Sequence, residues 1–152
     1  MRYSQVLAEW LLANESPQET LQAVGWEVMQ SRQEELNIRL IAKIAPGRDV
    51  AVDGLRHPID EGSLRASFAA NFYLLYVEAP TAIRWQRKLS SKRFESYRAF
   101  IAADEHPVEQ PHRTLHAHAF AVIQNAGSVE DYYATLSSNL EKLRSGNWGG
   151  KS

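Results

Sequence analysis

Phe72-Tyr73-Leu74-Leu75-Tyr76-Val77, followed at once by Glu78-Ala79-Pro80, is the stretch on which the fold turns. A continuous apolar run of strand length, rich in aromatic and aliphatic residues and closed by a Pro turn, predicts a strand buried on both faces. Such strands belong to parallel sheets covered by helices on either side. Toward the N-terminus, Asp49-Val50-Ala51-Val52-Asp53-Gly54 predicts a shorter strand ended by an Asp-Gly turn; toward the C-terminus, Phe120-Ala121-Val122-Ile123 predicts another. Helical spacing is read between them over Asp60 to Phe68, Thr81 to Leu89 and Tyr97 to Ala103. Strands alternating with helices predict an α/β fold, a three-layer parallel sheet with flanking helices, whose ligands lie beyond the carboxyl ends of the strands.

The flanks are helical. Tyr3, Val6, Leu7, Trp10 and Leu11 recur at steps of three and four, and Asn14 to Pro17 stops that helix. Ser16, Pro17 and Glu19 have the spacing of a capping box opening a second helix through Leu21, Val24, Val28 and Met29. Leu36, Leu40, Ile41 and Ile44 continue the pattern until Pro46-Gly47. At the other end, Ser128 predicts the cap of a last helix with Tyr132, Tyr133, Leu136, Leu140 and Leu143 on one face. The expected organisation is a single domain over residues 1–152: a helical region 1–45, an α/β core 49–143 and a flexible tail 145–152.

Composition narrows the class of function. In 152 residues, 44% are apolar, and 17 Lys+Arg stand against 18 Asp+Glu, which disfavours both disorder and a broadly basic nucleic-acid binder. The absence of cysteine removes thiolate metal sites, disulfides and a cysteine nucleophile. No apolar run reaches the roughly 20 residues that span a bilayer, and no signal-peptide apolar region opens the chain. A cytoplasmic protein with no membrane association is expected.

Against this near-neutral background, Arg84, Arg87, Lys88, Lys92, Arg93 and Arg98 form a local basic segment. Guanidinium groups fork onto phosphate oxygens, so the segment suits a polyphosphate, although the same residues also serve as a solvated helix face. Asp53 and Arg56 leave the first predicted strand together: a carboxylate there can orient a hydroxyl or hold a magnesium-bound water, and the Arg can hold a phosphate. Asp53-Gly54 is equally a strand-ending turn. His112, His116 and His118 have a spacing that metal sites use, but no acidic or thiolate partner matches it, and surface histidines are the expectation. Gly149-Gly150-Lys151-Ser152 imitates the end of a phosphate loop, yet Ser145 stands where the first Gly belongs.

Several of these pieces, taken in order, resemble the P-loop nucleotide kinases, in particular the dephospho-coenzyme A kinase and nucleoside monophosphate kinase group with its archaeal adenylate-kinase-like relatives. Val50 to Arg56 resembles that group's strand ending in Asp-Gly-x-Arg. Phe72 to Pro80 with Arg84 and Arg87 resembles its apolar strand, Ala-Pro turn and Arg-x-x-Arg helix. Phe100 with Asp104-Glu105 is similar to the lid region, Ala119 to Ser128 to the strand entering Asn-x-Gly-Ser, and Leu21-Gln22-x-x-Gly25 to the substrate-side helices. The resemblance implies phosphoryl transfer from ATP, with Mg2+, to a small nucleotide such as a nucleoside monophosphate or dephospho-coenzyme A. It assigns catalysis to Asp53, Arg84 and Arg87, the acceptor to Arg56, Gln22 and Arg93, and the adenine to Asn125, Ala126 and Gly127.

The sequence departs from that family at one place: it contains no G-x-x-x-x-G-K-[ST] loop, and the family's first strand, normally the central one, has no counterpart. Two expectations follow. One is a P-loop NTPase-like kinase of small nucleotides that acts when such a loop is restored. The other is a degenerate, non-catalytic domain that binds a nucleotide or a protein and forms a homo-oligomer through the edge that the lost strand exposes.

Overall fold

The computed structural model describes residues 1–13, 28, 31–89, 94–106 and 111–146, with only the backbone at 11–13. The expectations at Ser16, Pro17, Glu19, Leu21, Gln22, Val24, Gly25, Met29, Lys92, Arg93 and Gly149 to Ser152 lie outside these residues. The chain divides into two compact units: Met1–Tyr73 with Glu105–Ala117, and Leu74–Asp104 with His118–Ser152.

The first unit is helical. Its helices are α1 (Tyr3–Ala13), α2 (Gln33–Ala42) and α3 (Pro58–Phe68). The three- and four-residue spacing of Tyr3, Val6, Leu7 and Trp10 places them in one buried cluster with Val28, Leu36, Leu40 and Leu64. Trp10 closes one side of that cluster, with the guanidinium groups of Arg32 and Arg39 at 4.3 and 4.8 Å from its ring. Glu35 bridges both, at 2.9 Å from Arg39 and 2.7 Å from Arg32, and these bonds, Arg39's first, hold its carboxyl below the usual range.

Polar groups cross the same core. Tyr3 donates to Asn37 Oδ1 at 2.7 Å, and Asn37 donates to Ser63 at 3.3 Å, which connects α1, α2 and α3. Helix α3 opens with Pro58 in its first turn; His57 Nδ1 accepts from the Ile59 amide, and the Asp60 carboxylate accepts from the His57 amide at 3.0 Å.

The three-layer parallel sheet is not formed. The described residues contain a single two-stranded sheet, and the chain is mainly helical. The expected strand over Asp49 to Gly54 is reduced to one isolated bridge between Arg2 and Asp53. Its backbone is met by residues 1–3: Met1 donates to Ala51, Asp53 to Met1, and Tyr3 to Asp53 at 2.9–3.0 Å. The chain enters α1 at Tyr3, and Gly54 turns away at φ +89, so the ladder cannot lengthen past Arg2 and Asp53 in the chain direction. Among the described residues no further strand lies beside it, so the β-branched pattern of Val50 and Val52 has no ladder to propagate along.

In the second unit, β1 (Leu75–Glu78) and β2 (Ala121–Gln124) run parallel, with Leu75 opposite Ala121 and Glu78 opposite Gln124. The strand expected at Phe72 to Val77 therefore starts later, and it is not buried on both faces: Val77 is 46% exposed and Tyr73 44%. A pair this narrow offers too little sheet for helices to cover both faces. Ile123 is fully buried, and helix α6 (Val129–Ser145) packs along β2. Ser128 caps α6 as expected, in a capping box with Asp131 whose carboxyl Ser128's hydrogen bonds hold below its usual range. Of the face predicted for this helix, Tyr132, Leu136 and Leu143 are half-buried, while Tyr133 and Leu140 face solvent. The remaining helices of this unit are α4 (Thr81–Leu89) and α5 (Tyr97–Asp104).

The Tyr3 phenol is pushed up by burial and by the negative charge of Asp60, so the folded chain keeps a proton that the unfolded chain releases near pH 10. Folding stability therefore falls as pH rises past about 10. Tyr3→Phe is expected to show a shallower alkaline decline in urea titrations between about pH 9 and 11. At pH 7 it is expected to cost about 1–3 kcal/mol through the acceptor left unpaired on Asn37.

Candidate functional site

The carboxyl ends of β1 and β2 lie side by side, and the segments that follow them carry most of the predicted site. Glu78 and Gln124, the last residue of each strand, are hydrogen-bonded through their side chains. Beyond Glu78 the chain turns at Ala79-Pro80 into α4; beyond Gln124 it passes through Asn125, Ala126 and Gly127 into α6.

No side chain of α4 is fully buried, so its arginines provide much of its attachment. Arg84 forks onto Asp104 of α5, with its Nη1 on Oδ1 and its Nη2 2.9 Å from Oδ2. It also donates to the Ala79 carbonyl at 3.1 Å and to Thr81 Oγ1 at 3.0 Å. The fork on Asp104 holds the guanidinium above its already high range. Around this pair Trp85, Tyr97 and Phe94 gather on the buried Phe100, with ring centroids 5.5–6.2 Å from it. The donors of Arg84 are thus directed at the protein itself, in a clamp between α4 and α5.

Arg87, one turn further on, reaches the loop after β2. Its Nη1 donates to the Asn125 carbonyl at 2.9 Å and to Asn125 Oδ1 at 3.0 Å, and its Nη2 to the Gly127 carbonyl at 3.1 Å. Arg87, Asn125 and Gly127, chosen separately in the sequence, are therefore joined in one exposed arrangement. Ala126 lies between them on the same exposed loop.

Asp53 and Arg56 belong to the first unit. Asp53 is exposed and stands 3.3 Å from Arg2 Nε. Arg56 is exposed, and its amide donates to Asp60 Oδ2 at 3.3 Å. Gln22 and Arg93 lie outside the described residues.

The carboxylate expected to face the implied Mg2+, Asp53, is paired with Arg2, and no group of three His, Cys, Asp or Glu among the described residues is placed to hold a metal ion. For ATP, Arg84 already spends its fork on Asp104. A shallow open groove of the first unit, lined by Ser31, Gln33, Glu34, Ile38 and Ile59, contains none of the predicted residues. Among the described residues no helix is long and apolar enough to cross a membrane.

Two participants escaped the sequence reading. Asp60 is 1% exposed and accepts from the Gln33 side chain. Its signal was the spacing His57-Pro58-Ile59-Asp60, a helix-start pattern with a carboxylate at the third helical position. Thr81, whose hydroxyl accepts from Arg84 just after Pro80, carries no signal beyond its place at a helix start.

Comparisons with protein-family models, with curated proteins and with solved structures returned no match to this chain.

The clamp makes a direct prediction. Arg84→Lys, which keeps the charge but loses the planar fork, and Asp104→Asn are each expected to lower unfolding stability by about 1.5–3 kcal/mol. Urea denaturation followed by tryptophan fluorescence measures it; unchanged midpoints for both variants would remove the clamp from the account.

Proposed function

We propose that this chain is a nucleotide-kinase-like protein that binds small nucleotides. Within the second unit, the adenine of ATP lies beside Asn125, Ala126 and Gly127 with Arg87 on its phosphates; within the first unit, taken by itself, the loop from Asp53 to Arg56 holds the phosphate of a monophosphate. Phosphoryl transfer to a nucleoside monophosphate or dephospho-coenzyme A follows only when a phosphate-binding loop is restored, since the sequence contains none. The observation that carries this reading is the bonding of Arg87 to both Asn125 and Gly127 at the carboxyl ends of a parallel strand pair. Ligands of parallel sheets collect at that edge, and the loop carbonyls pre-aim a guanidinium there. The reading also sets the protein in the cytoplasm, where ATP and Mg2+ are abundant.

Calorimetric titration tests it. ATP is expected to bind the parent chain and to lose about tenfold in affinity with Arg87→Ala, as loss of a charge-assisted hydrogen bond requires. AMP is expected to lose a similar factor with Arg56→Ala. Absence of binding, or affinities indifferent to both substitutions, would sink the proposal.

A second reading, a non-catalytic interaction domain that forms a homo-oligomer, is favoured by the exposure of Val77, Val122, Tyr133 and Leu140 in the second unit. A two-stranded sheet leaves strand edges that another chain can pair with. On this reading light scattering after size exclusion gives a dimer or larger species, and Val122→Lys shifts it to the monomer. A parent chain that is monomeric at high concentration contradicts it.

A further inference from the structure

The Asp53 to Arg56 loop is held from both ends, and the inner anchor is a buried acid. Asp60 is 1% exposed, and a carboxylate is costly to bury unless both oxygens are hydrogen-bonded. Here they are. Oδ1 accepts from the side-chain amide of Gln33 on α2, itself nearly buried. Oδ2 accepts two backbone N–H groups, those of Arg56 at 3.3 Å and His57 at 3.0 Å. Capping of α3 requires only the His57 bond. The Arg56 bond goes beyond capping: it fixes the peptide from which the Arg56 side chain departs. At the other end, Asp53 is tied through its backbone to Met1 and Tyr3, and Gly54 at φ +89 makes the turn between the two anchors.

We propose that Asp60 is a positioning residue for Arg56, and that Gln33 holds Asp60 in place for that purpose. This rests on the assignment of the acceptor phosphate to Arg56. A long, rotamer-rich side chain binds a phosphate at lower entropic cost when its backbone exit is already set, and a buried carboxylate that accepts from two successive amides sets it. The role is one of geometry rather than charge. Asp60→Asn can still present one oxygen to both amides while its own amide meets the Gln33 carbonyl after a flip, so it should preserve the loop; Asp60→Ala cannot.

The experiment is a double-mutant cycle on AMP binding combined with amide hydrogen exchange of the ligand-free protein. Asp60→Ala is expected to weaken AMP about tenfold in the parent, to have no further effect in the Arg56→Ala background, and to accelerate exchange at the Arg56 and His57 amides. Asp60→Asn is expected to change neither. If Asp60→Ala does not fold, Gln33→Ala, which removes only the partner of Oδ1, carries the same cycle with the same expectation. The proposal is overturned if the loss of AMP affinity is as large without Arg56 as with it, because Asp60 then acts on the fold in general. It is also overturned if exchange at the two amides is unaffected. A parent chain that binds no AMP overturns it together with the nucleotide reading, and the parent titration alone distinguishes that failure from a failure of the positioning claim.

Discussion

A parallel sheet that is two strands wide among the described residues is the constraint under which the second unit is built. Wide parallel sheets hold their helices by burying apolar faces, and this pair has little face to offer: Ile123 is fully buried, while Val77 and Val122 remain substantially exposed. The unit compensates with directional bonds. Arg84 fastens α4 to α5 through Asp104, and Arg87 fastens α4 to the loop after β2. The rings of Trp85, Phe94, Tyr97 and Phe100 fill the space between α4 and α5. Side-chain forks thus do here what sheet area does in larger α/β proteins, and the arginines that suit a phosphate are also the ones that hold the unit together.

The first unit solves a different problem. Its helices bury an apolar cluster with polar residues set through it, and each buried polar group is answered by another: Tyr3 by Asn37, Asn37 by Ser63, Gln33 by Asp60. Apolar contact alone tolerates sliding of one helix along another, whereas hydrogen bonds between named positions on α1, α2 and α3 fix the register. The same bonds end at the Arg56 peptide, so the order of the core extends to an exposed loop.

Local order was legible in the sequence where local rules suffice. The periodicity of Thr81 to Leu89 matches α4 residue for residue, and Ser128 caps α6 where the turn chemistry placed it. The parallel sheet was not, because a strand pattern states only that a segment can pair. Val50 and Val52 carry that pattern, but among the described residues no strand pairs along them, and a single bridge from Asp53 to Arg2 remains. Phe72 to Val77 reads as doubly buried for the same reason: an apolar run records what it would bury in a wide sheet and cannot report that the sheet stops at two strands. Of the site, the place of Asn125 to Gly127 directly after a strand was legible, whereas the strand expected before Asp53 and Arg56 is reduced to one bridge. The commitment of Arg84 to Asp104 was not legible, since the two stand twenty residues apart and only the packing of α4 on α5 brings them together.

The central claim is that the carboxyl edge of β1 and β2 receives a nucleotide through Arg87 and the Asn125 to Gly127 loop. The most direct measurement is an amide chemical-shift titration of the isotope-labelled chain with ADP. The account predicts saturable shifts at Asn125, Ala126, Gly127 and Ser128 and at the Arg87 side chain, while the groove at Ser31 to Glu35 stays unmoved. Shifts confined to that groove, or none at the strand-end loop at millimolar ADP, would contradict it.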